Sequence, residues 1–364
     1  MKLQGKVAVV TGAAMGMGKW ISRHLLAAGC SVALVDINET ELAATAAELS
    51  STGTCRPYVA DIADRQAVYV LAACIQDDMG TASILVNNAG IVWAAPLEEL
   101  DDEAIEKILS VNLVAQFWTC KAFLPNMIAQ DSGHIVNVAS AGGILALPHL
   151  SAYFASKFGV VGLTDSLRQE MKKRKSHVGF TVVCPNTVGT GMFAGSKMVA
   201  GTQLLDPDDV AAKIVAGIRK QKAMVAVPSV PVKILIPLTK VLLPIPVMDR
   251  LNQMLGMWRA NDTWSGRRPS EPTPSPPAGK RKRMLLKRTA QVLAVLLVLN
   301  LLVTGVNILQ NGSSGLVQGM RDELRMINPN LFIGLGYMPI GGGSINPGPF
   351  VVHGPPAPWM EPCG

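Results

Sequence analysis

The sequence predicts an α/β fold: a doubly wound parallel sheet with helices on both faces, followed by an apolar appendage. Three observations point there. Short runs rich in Val, Ile and Ala alternate with longer helical patterns as far as residue 227. These runs are continuously apolar, as in parallel strands covered on both faces. Chemistry-bearing residues fall just after the runs, where ligands sit in such sheets.

Lys6 to Thr11 (KVAVVT) reads as a buried strand that flows into Gly12-Ala13-Ala14-Met15-Gly16-Met17-Gly18 and then a helical pattern to about Ala28. Glycines let a backbone turn tightly and approach a pyrophosphate, which sits at the positive end of the helix. The spacing is G-x-x-x-G-x-G, not the G-x-G-x-x-G of longer dinucleotide-binding domains. A second strand, Ser31 to Val35, ends at Asp36, a carboxylate placed to accept both adenosine-ribose hydroxyls and repel a 2′-phosphate. Neither Met15 nor Ile37 offers such a phosphate a positive charge. NAD is therefore the expected cofactor, with NADP the alternative. Further strands are expected over Arg56–Ala60, Ser83–Asn87, His134–Ala139, Val178–Cys184 and Met224–Val227. Helices are expected near Asp64–Met79, Asp101–Ala129, Ser151–Lys175 and Pro207–Gln221. Asp101 and Asp102 suit the dipole at a helix start.

The stretch Ser140–Lys157 (SAGGILALPHLSAYFASK) begins at a strand end and finishes inside a helix. Tyr153 and Lys157 stand four apart and share a helix face. An unperturbed tyrosine has a pKa of about 10. An ammonium beside it favours the phenolate and brings proton exchange within reach near neutrality. Ser140 can donate to a carbonyl or alcohol oxygen held between it and Tyr153. This is a proton-transfer site for a C–O bond, and a hydride carrier completes it.

Over about Lys2 to Trp264 the chain resembles the short-chain dehydrogenase/reductase superfamily, in particular its membrane-associated retinol, hydroxysteroid and long-chain alcohol branch. The resemblance rests on Thr11 to Gly18, Asp61-Ile62, Asn88-Ala89-Gly90 after Asn87, Asn112, then Ser140, Tyr153, Lys157 and Pro185 to Thr190, in that order. It implies a Rossmann-type sheet. It also implies that Tyr153 is the general acid/base, that Lys157 binds nicotinamide ribose and lowers the Tyr153 pKa, and that Ser140 orients substrate. Asn112 would hold a water in a proton relay. Val188 and Thr190 would lie near the nicotinamide carboxamide, and the resemblance implies a dimer or tetramer through the long helices. The chain departs from the family at Pro185-Asn186, where Pro-Gly is usual. Asparagine tolerates left-handed backbone, so a local adjustment is expected there. The segment after Thr190 is a flap over substrate in this family. Met192, Phe193, Met198 and Val199 would make it apolar and suit a lipophilic substrate, unless they simply pack on the core.

Six cysteines show no C-x-x-C pair and no metal-ligand spacing with the five histidines, so no metal is expected. Five of them fall in the first domain, as small buried thiols suited to a reducing compartment. The N-terminus lacks a charged-then-apolar leader with a cleavage site.

After the catalytic domain, residues 1–227, the composition changes. Residues 228–266 are apolar with scattered prolines that forbid one long helix. Short amphipathic pieces at a membrane surface, a dimer contact or a cover over the substrate mouth are the alternatives. Residues 267–288 form a Pro-rich, then basic linker with eight basic residues and one acid. Their net charge of +7 equals that of the whole chain, so the remainder is neutral. Residues 289–309 carry an apolar run long enough to span a membrane, and the basic residues before it place the enzyme on the cytoplasmic side. A helix docked on the enzyme, or a nuclear-import or nucleic-acid patch at Lys280 to Arg283, are the competing readings; no nucleic-acid partner is expected. The Gly/Pro-rich tail, 310–364, lacks the periodic apolar face of a packed domain.

Two function classes result. One is a membrane-tethered oxidoreductase of a lipophilic alcohol and its aldehyde or ketone. The other is a catalytically silent dinucleotide-binding scaffold or redox sensor. The joint presence of Asn112, Ser140, Tyr153 and Lys157 favours the first.

Overall fold

A computed structural model describes residues 1–199 and 202–266 of the chain. One sheet holds seven parallel strands in the order β3-β2-β1-β4-β5-β6-β7. They are β1 (Val7–Thr11), β2 (Ser31–Asp36), β3 (Cys55–Val59), β4 (Ala82–Asn87), β5 (His134–Val138), β6 (Gly179–Pro185) and β7 (Met224–Val227). The helices between them are α1 (Gly16–Ala27), α2 (Glu39–Leu49), α3 (Arg65–Met79), α4 (Asp102–Leu109), α5 (Ala115–Ala129), α6 (Ser151–Lys173) and α7 (Pro207–Arg219). The strand order reverses between β1 and β4, which opens a crevice beyond their carboxyl ends.

The continuous apolar strands divide their side chains between two cores. Ala8 and Val10 of β1 join Ile21 and Leu25 of α1 and Ile214 and Ile218 of α7. Val9 points the other way, with Ile75 of α3 and Phe123 and Met127 of α5. Each such fully buried Val, Leu, Ile, Phe or Met side chain contributes roughly 1.5–3 kcal/mol.

Expected and observed strand ends agree within a residue or two. The long helix expected over 101–129 is instead broken by a π-helical segment, Ser110–Val114, where the Ala115 N–H donates to Ser110 O. The C-terminal extension folds as a π-helical segment, Pro231–Leu235, then α8 (Ile236–Leu242) and α9 (Ile245–Met254). Pro246 lies in the first turn of α9, where a missing N–H costs nothing, while Pro237 follows directly on the π-helical segment. Cys30, Cys120 and Cys184 are buried, but Cys74 is exposed, contrary to the expectation of five buried thiols.

The basic linker, the spanning helix and the tail expected over 267–364 lie outside the described residues. Among the described residues no helix is long and apolar enough to cross a membrane.

Candidate active site

The glycine turn is held by its neighbours as much as by its own geometry. Gly12 and Gly16 have φ of +66° and +55°. A Cβ on Gly18 would stand 1.9 Å from Gly12 O, and one on Gly12 would stand 2.8 Å from Ala89 Cα. The turn thus folds tightly on itself and against the end of β4. Thr11, given no role of its own in the sequence analysis, is the brace. Its Oγ1 accepts from the N–H groups of Asn88 (3.1 Å) and Ala89 (3.2 Å). Asn88 Nδ2 returns the bond to Thr11 O (3.0 Å) and Gly12 O (3.1 Å). A buried hydroxyl ending an apolar strand was the available signal. Met17 packs partly buried against the α1 core.

At the end of β2, Asp36 Oδ2 accepts from the Ala14 N–H (3.0 Å) and Oδ1 from the Asn38 N–H (3.1 Å), tying the strand end to the turn. After β3, Asp61 Oδ1 accepts from the Ala63 N–H (2.9 Å), and Ile62 is buried. Gly90 joins this half of the crevice to the other: a Cβ there would meet Asn112 Oδ1 at 3.2 Å and Lys157 Nζ at 3.5 Å.

Tyr153 and Lys157 sit one turn apart on α6, only 4% and 3% exposed. Lys157 Nζ donates to Val138 O (2.9 Å) and lies 5.7 Å from the centre of the Tyr153 ring. Ser140 caps the short helical turn after β5, its Oγ accepting from the Gly142 N–H (3.0 Å), and its hydroxyl lies beside Tyr153, where it favours the phenolate. Burial pushes the Tyr153 phenol up to about 12, with the Ser140 bond working the other way. Burial also brings Lys157 down to about 8, opposed by Cys184. This reverses the direction expected for Tyr153 from its lysine neighbour. Loss of water sets this direction, while the Lys157 ammonium spends its hydrogen bond on the Val138 carbonyl.

Asn112 lies in the π-helical segment and is wholly buried. Its Oδ1 accepts from the Ile91 N–H (2.8 Å), while Nδ2 donates to Ile91 O (2.9 Å) and Ser156 Oγ (3.1 Å). Its main-chain carbonyl accepts from Gln116 Nε2 (2.9 Å). The side chain pins the loop after β4 to the kinked helix.

An apolar roof covers Tyr153. Phe154 and Phe193 meet its ring edge-on, each with centroids 5.7 Å away. Met192, Leu150 and Trp264 belong to the same cluster. Met198, expected to join them, is 40% exposed. Trp264, far away in sequence, closes the roof, with Nε1 donating to Met192 O (3.1 Å). Around it the Ser265 N–H reaches Ala194 O (2.9 Å), Thr263 Oγ1 donates to Gly195 O (2.7 Å) and the Lys197 N–H to Ala260 O (2.7 Å). Asn261 Nδ2 donates to Pro148 O (3.2 Å). Residues 260–266 therefore strap the flap and the loop before α6 together. Beyond Pro185, Asn186 does not adopt the left-handed backbone its asparagine allows; its N–H donates to Val227 O (2.8 Å). Val188 pairs with Leu205, and the Thr190 N–H donates to Val188 O (2.8 Å).

The chain that carries this arrangement is similar to known proteins. The family pattern described as short chain dehydrogenase matches residues 6–198. The chain belongs to the short-chain dehydrogenase family. Estradiol 17-beta-dehydrogenase 11 of Mus musculus is 37% identical over 227 residues, covering 62% of this chain and 76% of that protein. Epidermal retinol dehydrogenase 2 of Mus musculus is 32% identical over 269 residues, covering 72% and 86%. Among solved structures, a metagenomic short-chain oxidoreductase in complex with NADP is 31% identical, with a TM-score of 0.54 over 62% of this chain and 98% of that one. As a member of this family the chain is an oxidoreductase of the class acting on CH–OH donors.

Proposed function

We propose that this short-chain dehydrogenase uses NAD to interconvert a lipophilic alcohol, of long-chain, retinoid or steroid type, and its carbonyl compound. The observation that carries the reading is the burial of Tyr153 and Lys157, with the Ser140 hydroxyl beside Tyr153, beneath a roof of Phe154, Phe193, Met192 and Trp264. An apolar roof over a polar pair suits a substrate with one oxygen on a hydrocarbon body. The similarity to proteins named for estradiol and retinol agrees with it.

The crevice fits a nicotinamide dinucleotide. The helices α2, α3 and α7 open on the side chains of Asn38, Asp64 and Asp206, whereas α1 opens on a glycine with no acid in its first turn. That end suits an anion. Gly12, Gly16, Met17 and Gly18 would hold the pyrophosphate and Asp36 the adenosine ribose. Asp61, Ile62, Asn88, Ala89 and Gly90 would line the strand ends. Tyr153 and Lys157 would hold the second ribose, and Pro185, Val188 and Thr190 the carboxamide. Asp36 favours NAD because its carboxylate repels a 2′-phosphate. When bound, the nicotinamide supplies the hydride chemistry.

The chain's own residues manage the proton. Ser140 Oγ and Tyr153 Oη hold the substrate oxygen. At neutral pH the proton resides on Oη, so in the reducing direction Tyr153 donates to the carbonyl oxygen. In the oxidising direction Oη must first lose its proton, and the positive charge of Lys157 stabilises the phenolate. Asn112 positions the Ile91 loop, leaving its main-chain carbonyl as its contribution to a relay. The proposed setting is a membrane, with residues 289–309 as a single span, the catalytic domain on the cytoplasmic side, and a homodimer or homotetramer as the assembly.

The test is formation of reduced cofactor by detergent-solubilised full-length protein, with NAD and NADP side by side. The panel runs from short to long primary alcohols and includes a retinoid and a steroid. Turnover with NAD on the long apolar substrates, abolished in Tyr153→Phe, is expected. Turnover confined to small polar alcohols refutes the substrate class. NAD binding without any turnover replaces the enzyme with a silent dinucleotide-binding scaffold.

A further inference from the structure

Two sheet faces bury their apolar side chains, yet the C-terminal extension does the opposite. Val241 (82%), Ile245 (76%) and Met254 (84%) are almost fully exposed, and Ile234, Leu242 and Trp258 are exposed as well. They lie on α8, on α9 and on the residues flanking them, with only Leu243 and Pro244 between the two helices. Single exposed apolar residues mean little, but a succession of this kind marks an interaction surface.

Charge identifies the occupant. Lys233, Arg250 and Arg259 are exposed and take part in no ion pair among the described residues. Lys240 turns inward, donating to Ile144 O (2.8 Å) over the Phe158 ring. Asp249 is the one acid between Val230 and Arg259. Trp258 and Arg259, with Gln253 and Gly256, line a surface groove. A tryptophan beside an arginine suits a boundary with one dry and one wet side. A second copy of the chain fits poorly, because a twofold interface sets a patch against itself and would oppose these cations to one another. The chain beyond Gly266 supplies a further reason. It continues with eight basic residues over 267–288 and then an apolar run long enough to span a bilayer. A fully extended linker of that length reaches no more than about 80 Å, so a bilayer holding the run stays within reach of this face.

We propose that the α8–α9 face is a docking surface for an anionic lipid bilayer. The apolar residues enter the boundary between headgroups and acyl chains, and Lys233, Arg250 and Arg259 meet the headgroups. Each such cation strengthens partitioning onto an anionic surface by about fivefold. The strap of residues 260–266 joins this face to the roof over Tyr153, so docking brings the substrate mouth to the bilayer. The inference rests on the proposed span over 289–309 but not on the catalytic reading.

The test uses the full-length chain reconstituted in vesicles, with Cys55→Ser, Cys74→Ser and Cys363→Ser removing competing thiols. An environment-sensitive dye is placed at Met254→Cys, or at Glu41→Cys on α2 as a control. On vesicles with anionic lipid, the dye at 254 should be quenched by lipid-borne nitroxide and shielded from iodide, and the dye at 41 should show the reverse. Lys233→Glu, Arg250→Glu and Arg259→Glu combined should restore iodide access at 254. Iodide access at 254 on anionic vesicles in the parent overturns the proposal. So does shielding from both quenchers with 254–254 cross-links between chains, which assigns the face to a second copy. The readout contains no turnover and should be unchanged by Tyr153→Phe, so its failure and that of the catalytic reading are distinguishable.

Discussion

Asn112→Ala separates two roles for one residue. If Asn112 acts only in a proton relay, its loss lowers activity and leaves stability alone. The geometry assigns it a larger task, because its amide holds both polar groups of Ile91 and reaches Ser156. Truncation leaves the Ile91 N–H and C=O without partners, and each such group costs about 1–3 kcal/mol when buried. Ser156 loses little, since its hydroxyl still donates to Tyr153 O (2.6 Å). Ile91 is only half-buried, which favours the lower end, so the expected loss is about 3 kcal/mol. For a domain of this size that lowers the melting temperature by about 6–12 °C. Asn112→Asp should not rescue it, because it turns a second oxygen onto Ile91 O. The assay is thermal unfolding in detergent followed by tryptophan fluorescence. A variant melting within about 2 °C of the parent while losing activity refutes the structural role.

Other outcomes follow from the same geometry. With the Tyr153 phenol held up to about 12, its ionised fraction at neutral pH is small and rises tenfold per pH unit. Oxidation of alcohol should therefore accelerate with pH until Lys157, brought down to about 8, loses its charge; kcat/KM still climbing well above that range contradicts the assignment. His134 is fully buried and burial lowers it to about 4, so the fold prefers the neutral ring. Its contribution is complete above about 6.5 and is lost as pH falls toward 4, a decline of about 3 kcal/mol that His134→Leu should remove from the pH dependence of the urea midpoint. Gly18→Ala places a methyl group 1.9 Å from Gly12 O and should destabilise the domain by about 2 kcal/mol or more while weakening NAD binding; an unchanged melting temperature overturns the packing argument.

The sheet was legible because its strands are continuous apolar runs and its turns carry glycine. Tyr153 and Lys157 were legible as a pair because one helical turn separates them. What escaped the sequence depends on contacts across long separations. The helix expected over 101–129 reads as uninterrupted, yet Ser110–Val114 widens into a π-helical turn. There the Asn112 carbonyl takes a side-chain donor from Gln116, which no periodicity reveals. The direction of the Tyr153 shift depends on how completely Phe154, Phe193 and Trp264 exclude water. Trp264 itself lies in a stretch whose composition says apolar but not where it packs. Asn186 kept ordinary backbone because its N–H pairs with β7, a partner about forty residues on.

The strap over the roof has a mechanical consequence. The described chain runs to Gly266, whose N–H rests on Ala194 O (3.3 Å), immediately after Trp264 and Ser265 have bonded the same flap. Tension on the chain beyond that residue is delivered first to the flap and not to the sheet. The bonds that Ser265, Trp264, Thr263 and Ala260 make with the flap then bear it one after another, like a seam opened from one end. The same seam that shields Tyr153 from water is thus the first part of the domain to feel a pull on the chain beyond Gly266.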